Sequence, residues 1–481
     1  MSSGATINTG IDKGASSPVS TTGGLRHLTP EKLSLQEALS SARETRALEI
    51  GAGQLGRVPE IFRRYFPGRR AVVIADPTTF RLAGQTVFAA LQRDGLIQRD
   101  TFLFTDPALY AESRFVTQLE ESLKVHDAIP VAVGSGTIND LTKLAAHRTG
   151  RPYLCVATAA SMDGYTAFGA SITHAGAKQT FNCPAPTAVV ADIDIIRSAP
   201  PEMTASGFAD LMAKITAGAD WIFADALGAE PIDMRAWSIV QGGLRAALAD
   251  PVGARAGDSV AISQLVEGLM LGGFAMQWSK TSRPASGAEH QFSHLWDMEH
   301  HVHQGAAPSH GFKVGIATLA VTAFYEQLMQ LPLERLDMAQ CCAKWPQPEA
   351  MEAQVRQLLG QTDFIGTAVT ETRAKHVSPE DLRRQLERLR ANWPDLRELL
   401  RAQLLPFAEL QSRLQSVGAP TEPEQIGISR ERLRLSFMRA LHIRRRFTVL
   451  DVALRTDSLT RCLDGLFGPG GRWQVAATGT R

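Results

Sequence analysis

Between Ile129 and Ala146 an apolar run, Ile129 to Val133, passes directly into Gly134-Ser135-Gly136-Thr137-Ile138-Asn139-Asp140 and then into the helical pattern Leu141 to Ala146. A buried strand that turns on glycines into a helix is a unit of a layered α/β sheet. The glycines let backbone N–H groups approach a phosphate closely, and the helix start adds roughly half a positive charge at the same point. The segment matches neither G-x-G-x-x-G nor a P-loop. Alone, it admits a pyrophosphate site or a plain sharp turn capped by Asn139 or Asp140.

The surrounding chain repeats this rhythm. Ala71 to Ala75, Thr101 to Phe104, Tyr153 to Ala157 and Ala188 to Ala191 are short apolar runs, separated by helix-like stretches such as Leu82 to Arg93. They predict a mostly parallel sheet flanked by helices in an N-terminal α/β domain over residues 46–195. After Pro200 and Pro201 the β-branched runs disappear and long periodic segments such as Leu382 to Leu405 take over, so residues 196–481 are expected to form an all-α domain. Residues 1–45 read as a flexible tail rich in Ser, Thr and Gly, followed by a short helix between Pro30 and Arg46.

Charge and cysteine usage exclude several classes. With 50 Lys plus Arg against 49 Asp plus Glu, the formal charge is +1, so neither nucleic acid nor an anionic membrane is an expected partner. The start lacks the apolar core of a signal peptide and no later segment runs 18 apolar residues, which predicts a chain that does not enter a membrane. Five cysteines without a C-x-x-C pair fit a reduced, cytoplasmic compartment. The Arg-rich stretch Arg430 to Arg446 reads as solvated helix faces.

Four further features carry chemistry. Asp76 ends the Ala71 to Ala75 run, where an acid can hold ribose hydroxyls and repel a 2′-phosphate, although Asp-Pro is also an ordinary turn start. The small residues from Val156 to Ser161 leave room for a flat cofactor ring, and Asp163 is placed either to orient a substrate hydroxyl or to form an Asp-Gly turn. Six of the twelve histidines, His290, His294, His300, His301, His303 and His310, lie between 290 and 310. His290 and His294 fall on one face of a helix with ligand spacing, and His310 precedes a second helix; His300, His301 and His303 lie in a polar linker and are expected to be exposed. A third metal ligand is best supplied by Asp210, an acid among apolar helix residues whose alternative role is an ion pair with Lys214; Glu289 points about 100° away from His290 on a helix.

Taken in order, Gly134 to Asp140, Ala160 to Thr166, Gly207 to Lys214, Gly287 to His294 and His310-Gly311 resemble the sn-glycerol-1-phosphate dehydrogenase family, AraM-type branch included, within the superfamily of dehydroquinate synthases and iron-type alcohol dehydrogenases. The resemblance runs from about residue 45 to 470 and implies a dehydroquinate synthase-like fold: a dinucleotide-binding α/β domain followed by a helical metal- and substrate-binding domain. It implies Asp210, His290 and His310 as ligands of one divalent metal, zinc or nickel, with Asp163 and His294 beside the substrate. Gly134, Ser135, Gly136, Thr137 and Asp140 would contact NAD (or NADP), and Thr158 and Ser161 would line its nicotinamide side. Ala167 stands where similar proteins commonly have Ser, removing one cofactor hydrogen bond, and the segment from His294 to His310 is a few residues longer than usual. The implied activity interconverts dihydroxyacetone phosphate and sn-glycerol 1-phosphate, a step of phospholipid biosynthesis, in a homo-oligomer taken as a dimer. The rivals are a dehydroquinate synthase-like lyase, disfavoured because only Lys143, Lys178 and Lys313 lie near these segments, and a dehydrogenase of unphosphorylated polyols or alcohols. A non-catalytic scaffold is the third.

Overall fold

The computed structural model describes residues 28–174 and 177–475, so the expected N-terminal tail lies outside the described residues. Eight strands occur among them: β1 (Ala47–Gly51), β2 (Ala71–Ala75), β3 (Phe102–Leu103), β4 (Ile129–Gly134), β5 (Leu154–Ala157), β6 (Ala170–His174), β7 (Ala177–Phe181) and β8 (Ala188–Asp192). Six of them form one sheet in the order β1-β8-β5-β4-β2-β3, and every pairing in it is parallel. β2, β4, β5 and β8 are buried along their whole length, which is why they read as unbroken apolar runs.

Period-two alternation divides these strands between two layers. Val72, Ile74, Ala132, Cys155, Ala157 and Val189 face the large core shared with the helical half. Val73, Val131, Val133, Leu154, Val156 and Val190 face the helices Val58–Tyr65 and Gln85–Arg93 through Val58, Phe62, Val87 and Leu91.

Two elements depart from the expectation. β1 is an edge strand with Glu49 in its middle and only partial burial, so its apolar signal is weak. β6 and β7 pair antiparallel as a separate ribbon, in a region the alternating rhythm of parallel strands did not announce.

From Ile193 onward every named element among the described residues is helical. Six helices bear on the site: α1 (Gly136–Arg148), α2 (Pro201–Met212), α3 (Lys214–Ala226), α4 (Ser259–Ser279), α5 (Ala288–Met298) and α6 (His310–Leu328). α4 is long and apolar enough by composition to cross a membrane, but 67% of its apolar window is buried inside the fold. The periodic segment ending at Leu405 forms the helix Pro379–Gln403, which buries Leu382, Leu386, Leu389, Trp393, Leu396 and Leu400 on one face.

Two glycines set how closely the site's supports pack. A Cβ on Gly207 of α2 would lie 2.0 Å from the Ala160 carbonyl oxygen, and one on Gly311 of α6 would lie 1.8 Å from the Ser206 oxygen. The loop after β5, α2 and the start of α6 are therefore in backbone contact, which places Asp210 and His310 on adjoining scaffolds.

Gly311→Ala should lower stability by about 1–3 kcal/mol in urea unfolding, because neither backbone can yield without repacking. Gly243→Ala, in the helix Met234–Ala247 with open space at its Cβ, should be neutral or gain up to about 1 kcal/mol. Equal losses at both positions would show that close approach is not what Gly311 provides.

Candidate active site

The loop after β5 and the starts of α1, α5 and α6 surround a cavity of about 470 Å³, lined among others by Gly136, Thr137, Asp140, Asp163, His290, His294 and His310. These residues come from segments more than a hundred positions apart. Gly134, Ser135, Thr158, Ser161 and Asp76 do not line it.

On the sheet side, Ser135 begins α1 without a side-chain cap, so no side chain competes for the first N–H groups of the helix. A side chain at Gly134 would run into the Cβ and Cγ1 of Ile138, so close approach requires that glycine, whereas one at Gly136 would meet only the flexible end of Met162. Asp140 accepts from the Ser171 backbone N–H at 3.3 Å and sits 3.7 Å from Lys143. Thr158 is buried and its N–H donates to the Gly134 carbonyl at 3.1 Å, which ties the ends of β4 and β5 together. The Ser161 carbonyl accepts from the Ser206 hydroxyl of α2 at 3.3 Å. Asp76 caps a short turn of helix, accepting from the N–H groups of Thr78 at 2.8 Å and Thr79 at 3.0 Å and from the Thr79 hydroxyl at 2.9 Å. Lys143, named above only in weighing the lyase, donates to the carbonyls of Gly164, Ala167 and Gly169 at 2.9–3.0 Å and so fixes the loop that carries Asp163.

On the helical side, one ligand atom each from Asp210 of α2, His290 of α5 and His310 of α6 all lie within 4.8 Å of one another. His290 Nε2 is 3.5 Å from Asp210 Oδ1. The ring centroids of His290 and His310 are 5.4 Å apart, and His294 lies 6.5 Å from each. Two imidazoles and a carboxylate converging on a partly open cavity suit a divalent cation that keeps a free coordination position. Glu289 stands behind this cluster: its Oε1 is 2.7 Å from His290 Nδ1, and it also accepts from the Gly287 N–H and the Thr216 hydroxyl. A carboxylate on Nδ1 favours the tautomer that leaves Nε2 free as a ligand atom.

Lys214 belongs to both sides. Its buried ammonium lies 2.7 Å from Asp163 Oδ2 and 2.8 Å from Asp210 Oδ1, and it donates to the Asp210 carbonyl at 2.9 Å. The Asp163 N–H donates to Asp210 Oδ2 at 3.0 Å. Burial opposes ionisation of Asp210, yet Lys214 and the neighbouring imidazoles hold its carboxyl well below the usual range. Burial and the charge of Asp210 raise the carboxyl of Asp163. The ion pair weighed above as the alternative to ligation is thus present together with the ligand geometry. Lys214 itself was not expected as a site residue, although its position one turn after Asp210 was the available signal.

Two expectations are corrected. His301 is buried rather than exposed: its Nε2 is 2.7 Å from the Ile426 carbonyl and its Nδ1 is 2.8 Å from Arg432, because the linker folds back on the C-terminal helices. His300 is exposed and His303 partly so. The stretch ending at Arg446 is not simply a solvated face either, since Arg446 is buried and bonded to Ser282 and Ser286, and Arg444 lines the cavity.

Lys214→Met leaves two adjacent buried carboxylates without their cation, and should lower stability by roughly 3–5 kcal/mol in denaturant unfolding of the metal-free protein. A loss under 1 kcal/mol would mean that the pair is solvated in solution.

Residues 49–200 match the iron-containing alcohol dehydrogenase family. The glycerol-1-phosphate dehydrogenase (NAD(P)+) of Halalkalibacterium halodurans is 33% identical over 318 residues, 64% of this chain and 79% of that protein. The protein of the same name from Geobacillus thermodenitrificans is 30% identical over 394 residues, 81% of this chain and 87% of the relative. Among solved structures, the glycerol dehydrogenase from Schizosaccharomyces pombe shares the fold with a TM-score of 0.55 at 16% identity, covering 89% of this chain and 95% of that one. The ordered motifs, the parallel sheet with its helical partner and these identities over most of both chains together establish that the chain belongs to the glycerol-1-phosphate dehydrogenase family of NAD(P)-linked oxidoreductases, within the iron-containing alcohol dehydrogenases.

Proposed function

We propose that this protein interconverts dihydroxyacetone phosphate and sn-glycerol 1-phosphate, using NAD in preference to NADP and one divalent ion, zinc or nickel, held by Asp210, His290 and His310. The observation that carries the reading is the convergence of these three side chains on the same cavity as the Gly136–Thr137 turn. The donor set fits such an ion, with two imidazoles and a carboxylate held ionised by Lys214. When bound, the ion supplies Lewis acidity toward the reacting oxygen and the nicotinamide exchanges hydride with the adjacent carbon.

The chain's own groups do the rest. The uncapped N–H groups at Gly136 and Thr137 bind the dinucleotide's pyrophosphate, and Met162 packs against that turn. Asp163, held by Lys214, orients a substrate hydroxyl, and His294, one turn from His290, moves a proton between that hydroxyl and solvent. Glu289 keeps His290 in one tautomer throughout. Asp76, at the C-terminal end of β2, is assigned to the ribose hydroxyls and disfavours a 2′-phosphate, with a carboxylate that also caps the helical turn after it. Five unpaired cysteines are in keeping with a reducing, cytoplasmic compartment.

Alanine at Asp210, His290 or His310 should remove stoichiometric metal from the purified protein and lower turnover at least about a hundredfold, more than loss of an outer-shell partner would cost. His294→Ala should lower turnover while leaving metal content intact. The functional reading itself is tested by chiral analysis of the product reduced with NADH, together with kcat/KM for dihydroxyacetone phosphate and dihydroxyacetone. The expected product is the sn-1 phosphate. Exclusive sn-3 product or equal efficiency with both ketones would overturn it.

Asp76→Ser keeps a helix cap but removes the charge, and should narrow the NADH over NADPH preference by about tenfold, about 1.4 kcal/mol. An unchanged ratio of kcat/KM values would reduce Asp76 to its capping role.

A further inference from the structure

The cavity that holds His290 and His310 is also lined by Ser282, Ser286 and Arg444, which come from the segment between α4 and α5 and from the stretch after the helix Arg430–Ala440. Four arginines meet near this wall, and three of them have protein acceptors. Arg283 donates to the carbonyls of Phe447 at 2.8 Å and Asp220 at 2.9 Å and lies 2.9 Å from Glu230. Arg445 grips Glu371 with two nitrogens, at 2.6 and 3.1 Å. Arg446 donates to the Ser286 carbonyl and hydroxyl and, at 2.7 Å, to the Ser282 hydroxyl.

Arg444 has no hydrogen-bond acceptor among the described residues. The acid whose field reaches it is Glu371, which Arg445 already holds, and burial keeps the Arg444 guanidinium below the usual arginine range. Arg444 is partly buried and lines the cavity with no acceptor from the described residues on its guanidinium, so its N–H donors are left for an anion that enters there.

The two serines complete the arrangement. Because Arg446 donates into both hydroxyl oxygens, each hydroxyl acts as an acceptor there and keeps its own proton to give elsewhere. Both line the cavity. A guanidinium fork and two O–H donors suit a group with several terminal oxygens, better than a single carbonyl or hydroxyl would. Lys280, which also lines the cavity, is already paired with Glu44.

We propose that Arg444, with the hydroxyls of Ser282 and Ser286, forms the pocket for the substrate's phosphate, in the same cavity as the Asp210–His290–His310 cluster. This rests on the reading of the protein as a dehydrogenase of a phosphorylated three-carbon ketone. The cofactor's own phosphates are accounted for separately at the Gly136 turn. Arg444 thereby sets specificity, because binding energy from the remote dianion positions the reacting carbon.

The test measures kcat/KM for dihydroxyacetone phosphate and for dihydroxyacetone, the latter with and without phosphite dianion, in the metal-loaded wild type and in Arg444→Ala, with NADH affinity read by fluorescence titration. The pocket predicts that the phosphorylated-to-unphosphorylated ratio falls by about 30-fold or more, about 2 kcal/mol. It also predicts that activation by phosphite disappears and that NADH affinity is unchanged. Arg444→Lys, which keeps the charge without the fork, should restore part of the ratio, and it carries the test if Arg444→Ala does not fold. A wild type with no preference for the phosphorylated ketone would overturn both the pocket and the functional reading. A wild-type preference that survives in the Arg444 variants would overturn the pocket alone, as would weakened NADH binding with an intact ratio.

Discussion

Lys214 places a single buried ammonium between Asp163, on the loop after β5, and Asp210, on the helix that begins the second half of the chain. Burying two carboxylates close together is unfavourable by desolvation and by repulsion. The lysine offsets both, and the backbone N–H of Asp163 adds a further bond to Asp210. The sheet and the helical half are thus tied at the point where substrate, cofactor and metal are proposed to meet. A shift between the halves breaks a buried charge network, so the catalytic geometry and the relative placement of the halves are one constraint.

That constraint works because backbone contacts leave little slack around it. Gly207 and Gly311 bring the loop after β5, α2 and α6 together without intervening side chains. Lys143 gathers three carbonyls of the Gly164–Gly169 segment, and Asp220 accepts from the N–H of Ala288, the N–H of Val449 and the Tyr325 hydroxyl, which seats the start of α5. Lys143, Asp210, Lys214 and Asp220 therefore each have several partners, the arrangement expected where polar groups are rigidly held.

A formal charge of +1 conceals a strongly uneven distribution. Acidic groups and imidazoles concentrate at the Asp210 cluster, while Arg283, Arg444, Arg445 and Arg446 crowd the wall beyond Ser282. A cavity that brings a carboxylate–imidazole cluster and a guanidinium together is in keeping with the proposed short substrate, with a polar oxygen at one end and an anion at the other, and net charge alone gives no hint of it.

The local pattern carried much of the architecture. Unbroken apolar runs such as Ile129 to Val133 revealed the central strands, because a strand buried on both faces has no polar side to interrupt it. The four-residue spacing of His290 and His294 placed them on one helical face, and an acid amid apolar residues singled out Asp210, because both signals lie within one or two turns of chain. β1, an edge strand with a partly buried Glu49 in its middle, and the β6–β7 ribbon were not legible, since polar residues interrupt each and neither forms an unbroken apolar run. Tertiary structure alone decided that Lys214 bridges two carboxylates 47 positions apart, that His301 is buried against Ile426, and that Asp76 spends its carboxylate on a cap. It also decided that Arg446 reaches back 160 positions to Ser286 and leaves Arg444 facing the cavity. A lone Arg or Lys looks the same in sequence whether solvated or buried; only the partners that folding brings to it set its charge, its hydrogen bonds and its role.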